Sequence, residues 1–304
     1  MRILITDGME KAAVELLHNH GFETVEQFYE IDELIKQIRD FDAVIVRSAT
    51  KIRQPVIDAA AETGRLKLII RGGVGVDNID VEYAKSHGMT VANTPAASSA
   101  AVAELAIGHM FCVARYIHIA NHTMRLGQWN KKNYEGVELS GKTLGLIGFG
   151  RIAREVAKRA RALGMKVIYT NRSGPKTDAD PFVYAPFYDL LAQSDFISLH
   201  IPGSYEKVPV LGPEQFAKMK DGVYIINTSR GGLISEEALL NALDSGKVTA
   251  AALDVFDEEP VKNPKIFTHD RISMTPHIGA STKEAQERIG YEITRIVFDF
   301  FKVS

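Results

Sequence analysis

Apolar and polar positions alternate with two different periods along most of the chain. Short apolar runs at Ile3–Thr6, Ala43–Arg47 and Leu66–Arg71 predict buried strands. The segments between them repeat apolar residues at helical spacing, as in Met9–His20 and Asp80–His87. Strands that alternate with helices are typical of a parallel sheet covered by helices on both faces. The pattern therefore predicts an α/β protein.

The predicted strands form two series. The first contains the three strands just given together with Thr24–Gln27 and Thr90–Ala92. The second contains six strands, which are Lys142–Ile147, Lys166–Thr170, Phe196–His200, Val223–Asn227, Thr249–Asp254 and Ile272–Thr275. A chain of 304 residues is long enough to give each series a hydrophobic core of its own. We therefore expect two doubly wound parallel-sheet domains.

The segment between the two series marks the domain boundary. Asn93-Thr94-Pro95 interrupts the alternation, and a long buried helix rich in small residues is predicted over Ser98–Ala120. After the second series, Ser281–Val303 has amphipathic helical spacing and could pack back on the first domain. We expect a flavodoxin-like domain of residues 1–97 and 282–304, into which a Rossmann-type domain of residues 98–281 is inserted.

A glycine-rich turn opens the second series. Gly148-Phe149-Gly150-Arg151-Ile152-Ala153 lies between a predicted strand and a helix that ends near Gly164, and another strand follows. In this order the first glycine allows a tight turn, the second lets the backbone approach a pyrophosphate, and Ala153 permits close helix–strand packing. The N–H groups at the helix start favour an anion. A purely structural turn is the alternative, but the flanking strands and helix favour a dinucleotide site.

Composition narrows the range of partners. A net charge of −2 gives no field that would attract nucleic acid or an anionic membrane. The one cysteine, Cys112, lies in an apolar helical stretch, so we expect a buried, unreactive thiol. The best membrane candidate, Ala96–Ala120, is interrupted by ionisable residues. Met1–Asp7 has no charged segment before a long apolar run, so we expect no signal peptide, a cytoplasmic location and no bound metal.

Three ionisable residues follow strand ends of the second series. They are Arg230, Glu259 and His277, and they should face the same crevice as the glycine turn because the carboxyl ends of parallel strands share one edge. A guanidinium can bind a carboxylate with two charge-assisted hydrogen bonds, and an imidazole can exchange a hydroxyl proton while a carboxylate fixes its tautomer. Singly, each residue is an ordinary surface charge or helix cap. Together they suit hydride transfer between a nicotinamide and a 2-hydroxy acid.

The chain resembles the D-isomer-specific 2-hydroxyacid dehydrogenases over nearly its whole length. After the glycine turn, the resemblance is carried by Ser198–Pro202, Asn227–Gly232, Asp254–Pro260 and Pro276–Gly279. It implies that Arg230 binds and polarises the substrate, Glu259 supports the histidine and His277 is the acid/base. It also implies a substrate domain built from both chain ends and a homodimer formed through the cofactor domains. The residues expected to bind the cofactor, NAD or NADP, are Val74, Gly148, Gly150, Arg151, Ile152, Asn171, Arg172, Ser173, His200, Ile201, Pro202, Thr228, Ser229, Asp254 and Gly279.

Within that family, the first domain is most similar to the phosphoglycerate dehydrogenases. The matching stretches are Val46–Lys51, Arg71–Asn78, Asn93-Thr94-Pro95 and Gly127–Lys132. A dianionic phosphate needs several cations, which Arg47, Arg71 and Lys131 could provide. The resemblance therefore favours D-3-phosphoglycerate as substrate and a role in serine biosynthesis. The substrate-binding residues it implies are Arg47, Ser48, Arg71, Gly72, Gly73, Asn93 and Lys131.

Two other functions stay open. A glyoxylate/hydroxypyruvate reductase would share much of these stretches, and an NAD(H)-sensing binding protein, like the corepressors of this family, can keep all three ionisable residues. Since the sequence stops at Ser304, the C-terminal regulatory domain of longer phosphoglycerate dehydrogenases is not expected.

The sequence departs from the NAD-dependent members of the family at one position. About twenty residues past the glycines, those members carry an aspartate that binds the adenine-ribose hydroxyls. Here the position is Asn171, followed by Arg172 and Ser173. Asn171 does not repel a 2′-phosphate, and Arg172 is placed to attract one. We therefore expect NADP(H) to be accepted. The alternative is that Arg172 points to solvent and NAD(H) remains the cofactor.

Overall fold

The computed structural model describes residues 1–203 and 208–303. The chain folds into two compact units, Met1–Ser99 with Ala280–Ser304 (unit 1) and Ala100–Gly279 (unit 2). Each unit contains one β-sheet, and every strand pair in both sheets is parallel. The α/β class and the two parallel sheets predicted from the sequence are confirmed.

Unit 1 is built on a five-stranded sheet. Its strands are β1 (Arg2–Ile5), β2 (Glu23–Glu26), β3 (Ala43–Val46), β4 (Leu68–Arg71) and β5 (Thr90–Asn93). Its helices are α1 (Lys11–Asn19), α2 (Ile31–Gln37), α3 (Gln54–Thr63), α4 (Val81–Ser86) and, from the far end of the chain, α12 (Lys283–Phe301), with a short 3-10 helix at Ile38–Asp40. The strand order is β2-β1-β3-β4-β5, and all five strands predicted from the sequence are present.

Both faces of this sheet are buried because its strands are continuous apolar runs. The central strand β3 is buried at every position. One face packs against α2, α3 and α4, and the other packs against α1 and α12. Three apolar residues of α12, Ile289, Ile293 and Val297, recur every fourth position and form a single buried stripe. The C-terminal helix is therefore part of the core of unit 1.

Unit 2 is built on a seven-stranded sheet. Its strands are β6 (Thr143–Ile147), β7 (Lys166–Thr170), β8 (Val183–Tyr184), β9 (Phe196–Leu199), β10 (Val223–Asn227), β11 (Val248–Leu253) and β12 (Ile272–Met274). Its helices are α5 (Ser99–Ala114), α6 (Ile117–Arg125), α7 (Arg151–Ala162), α8 (Phe187–Gln193), α9 (Pro213–Lys218), α10 (Glu236–Asp244) and α11 (Pro264–Phe267), with a 3-10 helix at Lys131–Asn133. Only β8 was missed, because its two residues are exposed or half-buried and form no apolar run.

The strand order of unit 2 reverses at β6. The order is β12-β11-β10-β9-β6-β7-β8, so the chain moves from β6 to β7 and β8 and then crosses to β9 on the other side of β6. Ligands of open parallel sheets bind outside the carboxyl ends of the strands at such a reversal. The glycine turn follows β6 directly and therefore lies at this point.

The long helix predicted over Ser98–Ala120 is wrong in one respect, because the structure divides it into α5 and α6. The two helices meet at 66°, and Tyr116 between them has the left-handed φ of 56°. The free carbonyl of Ala114 accepts a hydrogen bond from the N–H of Val137 at 2.9 Å. A side chain at Gly136 would lie 2.3 Å from that same carbonyl oxygen, so the close approach requires glycine. The loop at residues 136–137 thus ends the helical hydrogen bonding.

Two further expectations concern the same helices. Cys112 on α5 is half-buried, so the expected full burial is not observed, although burial still raises the pKa of its thiol. Across the described residues, no single helix has both the length and the apolar composition needed to cross a membrane; α5 and α6 meet those criteria only as a bent pair.

Candidate active site

The glycine turn has the geometry of a dinucleotide site. Gly148 has a φ of 91°, and a Cβ there would lie 2.4 Å from the carbonyl oxygen of His200, so only glycine fits. Gly150 caps α7 and has open space where a side chain would be. Ala153 is fully buried against the sheet, while Arg151 is exposed and Ile152 half-buried. The first N–H groups of α7 are therefore accessible to an anion such as a pyrophosphate.

Asn171 follows β7 beside this turn. Its Oδ1 accepts a hydrogen bond from the N–H of Phe149 at 2.8 Å, which fixes the orientation of the amide. Its Nδ2 is buried without a hydrogen-bond partner among the described residues, whereas Arg172 and Ser173 are exposed. A buried amide donor without a partner is costly unless a ligand satisfies it. This orphan donor fits a hydroxyl or another acceptor of a bound dinucleotide.

Residues after β9 and β10 form the neighbouring part of this edge. The hydroxyl of Ser229 donates to the carbonyl of Ile201 at 2.7 Å, which ties the His200-Ile201-Pro202 segment to the end of β10. His200 Nε2 lies 2.9 Å from the Ser198 hydroxyl, and burial lowers the pKa of His200 to about 4, so its imidazole is neutral near pH 7. Thr228 is buried, and its hydroxyl has no partner in the described part of the chain.

Arg230, Glu259 and His277 follow three adjacent strands, β10, β11 and β12. His277 Nδ1 lies 2.7 Å from Glu259 Oε2, so the predicted histidine–carboxylate pair is formed. Arg230 is half-buried, and its loop is held by Asn227, whose side chain donates to the Arg230 carbonyl at 2.8 Å. With Nδ1 engaged by Glu259, Nε2 is the nitrogen of His277 left to exchange a proton with a substrate.

Electrostatics keep Glu259 ionised. Burial alone would raise the pKa of its carboxyl. The hydrogen bond and charge of His277, the N–H of Phe256 and the charge of Arg230 outweigh that effect and lower the pKa. A carboxylate is thus maintained beside the imidazole, where it favours the protonated form of Nδ1 and stabilises an imidazolium.

Asp254 organises the loop that carries His277. It is almost fully buried, and its two carboxylate oxygens accept hydrogen bonds from the N–H groups of Ile278 and Gly279 at 2.8 and 2.9 Å. His277 itself has a left-handed φ of 52°. Such a conformation is uncommon for a residue other than glycine, and surrounding contacts must hold it. Asp254 and Gly279, both expected at the cofactor site, thus contact each other.

In unit 1, the Arg47 loop follows β3 and is fixed from both sides. The Asp7 carboxylate accepts from the N–H groups of Arg47 and Thr50 at 2.7 and 3.1 Å and from the Thr50 hydroxyl at 2.6 Å. The Asn78 amide donates to the carbonyls of Arg47 and Thr50 at 2.7 and 2.6 Å. Arg47 is half-buried and Ser48 exposed at the end of the sheet.

The remaining predicted residues of unit 1 lie at the same edge. Arg71 is in register with Val46 on one side and with Asn93 on the other. Its guanidinium lies against the buried backbone of Gly72 and Gly73, and Nη1 donates to the Gly72 carbonyl at 3.4 Å. Asn93 Nδ2 donates to the carbonyl of Val74 at 2.5 Å. Lys131 differs from these residues, since it lies exposed on the 3-10 helix of unit 2 and not at a strand end.

Sequence analysis did not assign roles to Asn78 and His109. Asn78 was visible only as part of a matching stretch, and its clamp on the Arg47 loop depends on contacts between distant segments. His109 was visible only as an interruption of an apolar run. Among the described residues, no group of three His, Cys, Asp or Glu side chains could hold a metal ion.

Comparison with known proteins identifies the family. Residues 107–279 match the model of the D-isomer specific 2-hydroxyacid dehydrogenase NAD binding domain. A hydroxypyruvate reductase from Thermotoga maritima is 48% identical over 98% of this chain and 97% of its own length. The chain belongs to the D-isomer specific 2-hydroxyacid dehydrogenase family. It is therefore an oxidoreductase that acts on a CH–OH group with a nicotinamide dinucleotide.

Two other members of the family show the range of relatives. A D-3-phosphoglycerate dehydrogenase from Methanocaldococcus jannaschii is 45% identical over 95% of this chain, which spans only 55% of that relative. The solved structure of an acyclic imino acid reductase in complex with NADPH and D-Arg superposes with a TM-score of 0.90 at 31% identity, covering 100% of this chain and 98% of the other. Family membership thus fixes the fold and the type of reaction, while its members act on different substrates.

The glycine turn generates the first prediction. Gly148→Ala should lower the free energy of unfolding by about 1–3 kcal/mol, because it combines a strained φ with a clash against the His200 carbonyl. Gly150→Ala, which enters open space, should leave the stability of the cofactor-free protein unchanged but raise the KM for the dinucleotide. Urea unfolding and initial rates measure both effects. Equal destabilisation by the two variants would contradict this account.

The histidine–carboxylate pair generates the second prediction. His277→Ala should reduce kcat by at least about a hundredfold, the usual contribution of a general acid/base, and leave dinucleotide affinity nearly unchanged. Glu259→Gln should reduce kcat less, because the amide still accepts a hydrogen bond from Nδ1 but carries no charge. Stopped-flow turnover and fluorescence titration of the dinucleotide separate the two quantities. Loss of affinity with an intact chemical step would show that His277 has another role.

Proposed function

We propose that this enzyme interconverts D-3-phosphoglycerate and 3-phosphohydroxypyruvate, the oxidation that begins serine biosynthesis. The observation that carries the proposal is the pair of arginines at adjacent strand ends of unit 1, Arg47 after β3 and Arg71 at the end of β4. In this proposal unit 1 is the substrate domain and unit 2 is the cofactor domain.

The arginine pair is suited to a phosphate because its backbone is rigid. Asp7 and Asn78 hold the Arg47 loop through five hydrogen bonds, and the N–H of Gly72 donates to the carbonyl of Val46 at 2.9 Å, which joins the two strand ends. Positioned guanidinium groups bind dianions through charge-assisted hydrogen bonds with less loss of side-chain entropy than mobile cations. A 2-hydroxy acid without a phosphate would not need two such groups.

The residues of unit 2 account for the chemistry at carbon 2. We assign Arg230 to the substrate carboxylate and carbonyl, where its charge opposes the negative charge that develops on oxygen. During oxidation His277 Nε2 takes the proton of the hydroxyl, and during reduction it returns that proton to the oxygen. Glu259 holds Nδ1–H and stabilises the resulting imidazolium. The bound dinucleotide accepts or donates the hydride.

Hydroxypyruvate reduction is the second candidate, with glyoxylate as a further substrate. It is supported by the reductase from Thermotoga maritima, which matches this chain over almost its entire length, whereas the phosphoglycerate dehydrogenases extend well beyond it. In that case Arg47 and Arg71 would be structural or bind a bare carboxylate. An NAD(H) sensor has no comparable observation in its favour.

We also propose a homodimer formed through unit 2. Several large apolar side chains on and just after α5 and α6 are exposed, namely Phe111, Ile117, Met124, Leu126 and Trp129. An exposed apolar patch of this kind marks a protein–protein contact. Sedimentation of the purified protein as a monomer at micromolar concentration would overturn this part of the proposal.

The substrate proposal predicts the effect of removing the arginines. Initial rates of NADH and NADPH oxidation with 3-phosphohydroxypyruvate, hydroxypyruvate and glyoxylate should favour the phosphorylated substrate. Arg47→Gln should raise its KM about ten- to a hundredfold, since a charge-assisted hydrogen bond contributes about 1.5–3 kcal/mol, and leave the KM of hydroxypyruvate nearly unchanged. Arg39→Gln, a surface arginine of unit 1 paired with Glu62, is the control and should change neither KM. Preference for hydroxypyruvate, or equal effects of Arg47→Gln on both substrates, favours the reductase.

For the cofactor we propose that NADP(H) is accepted. The Asn171 amide lacks the negative charge that would repel a 2′-phosphate, and the exposed Arg172 guanidinium follows it directly. Asn171→Asp should raise the KM for NADPH about tenfold or more while NADH binding is kept, because the carboxylate can still accept from the Phe149 N–H. Arg172→Ala should raise the NADPH KM by a similar factor, and NADH serves as the control within each variant. Unchanged NADPH kinetics in Arg172→Ala would show that Arg172 points to solvent.

A further inference from the structure

A buried histidine of α5 has no place in the mechanism described so far. His109 is only 3% exposed, and its Nε2 lies 2.9 Å from the hydroxyl of Thr275, two residues before His277. The other ring nitrogen, Nδ1, lies 3.4 Å from the hydroxyl of Ser273. A buried imidazole that engages both hydroxyls of this segment contacts β12 at the point where the strand gives way to the His277 loop.

Hydrogen-bond directions along this contact are determined by the donors available. The Thr275 hydroxyl has one proton, and it donates that proton to Asp254 Oδ1 at 2.6 Å. It must therefore accept from His109, which requires a proton on Nε2. In the neutral imidazole Nδ1 is then an acceptor, which suits the Ser273 hydroxyl. Burial lowers the pKa of His109 and outweighs the opposing charge of Asp254, so the neutral form is the one present near pH 7.

The same hydrogen bonds continue to His277. Asp254 Oδ1 accepts from Thr275 and from the N–H of Ile278, and Oδ2 accepts from the N–H of Gly279. The two N–H groups flank the C-terminal side of His277, whose left-handed backbone needs support of this kind. A continuous path thus runs from His109 through Thr275 and Asp254 to the backbone of the acid/base residue.

We propose that His109 is a positioning residue for His277. By donating to the Thr275 hydroxyl, it directs that hydroxyl to Asp254 and so maintains the left-handed loop that presents His277 to Glu259 and to the substrate. The inference rests on the acid/base role proposed for His277 but is independent of the identity of the substrate. Without the imidazole, the Thr275 hydroxyl is free to rotate away from Asp254, and the loop loses one of its fixed supports.

The test compares two substitutions of similar size in the whole enzyme. His109→Leu removes the donor, and His109→Gln retains an N–H₂ group that can donate to Thr275. We expect kcat to fall about tenfold in His109→Leu and at most about threefold in His109→Gln, while the dissociation constant of the dinucleotide stays the same in both. His118→Leu is the matched control, because that imidazole contacts only the backbone carbonyls of Cys112 and Asp270, and it should leave kcat unchanged.

A double-mutant cycle separates positioning from simple destabilisation. Thr275→Val should cause the same loss of kcat as His109→Leu, and the double variant should be no worse than either single variant, since both interrupt one path. Equal losses in His109→Leu and His109→Gln, additive losses in the cycle, or a lower Tm with unchanged kcat would each overturn the proposal. The rates are measured with whichever keto acid the enzyme turns over best, so failure of the phosphate assignment does not affect this result.

Discussion

Parallel pairing of the strands is the constraint on which the arrangement of both candidate sites depends. Because every strand of a sheet runs in the same direction, all its loops of one type emerge at a single edge. In unit 2 this places the residues that follow β6, β7, β9, β10, β11 and β12 on a common border, although they are separated by more than a hundred positions in the sequence. In unit 1 the same constraint places Arg47 beside Arg71.

Carboxylates then hold these loops in defined conformations. Asp7 in unit 1 and Asp254 in unit 2 play parallel roles, since each follows a strand and binds backbone N–H groups of a neighbouring strand-end loop. A carboxylate that accepts several N–H bonds keeps its charge even when it is buried, because the bonds replace those it would make to water. Rigid loops follow from this, and precise side-chain placement follows from rigid loops.

Much of this architecture could be predicted from the sequence, and the failures have identifiable physical causes. Buried parallel strands are apolar runs, so eleven of the twelve strands were visible, and the glycine turn was recognised from its order between strands and helix. The break at Tyr116 was invisible because it depends on the loop at Gly136, which reaches the Ala114 carbonyl from twenty residues away. The function of His109 was hidden for the same reason, since Thr275 lies 166 positions further along the chain. Local patterns reveal elements, but contacts between distant segments do not leave such patterns.

The position of α12 has a consequence for the order in which the protein is made. Its apolar stripe covers the same sheet face as α1, yet it is synthesised only after the whole of unit 2. Until the ribosome has released those last residues, one face of the unit 1 sheet is without part of its cover and is open to misassociation. Unit 2, which is continuous in sequence, has no such requirement. We therefore expect unit 2 to fold first on the ribosome, with unit 1 held as an incomplete intermediate that nascent-chain chaperones can bind.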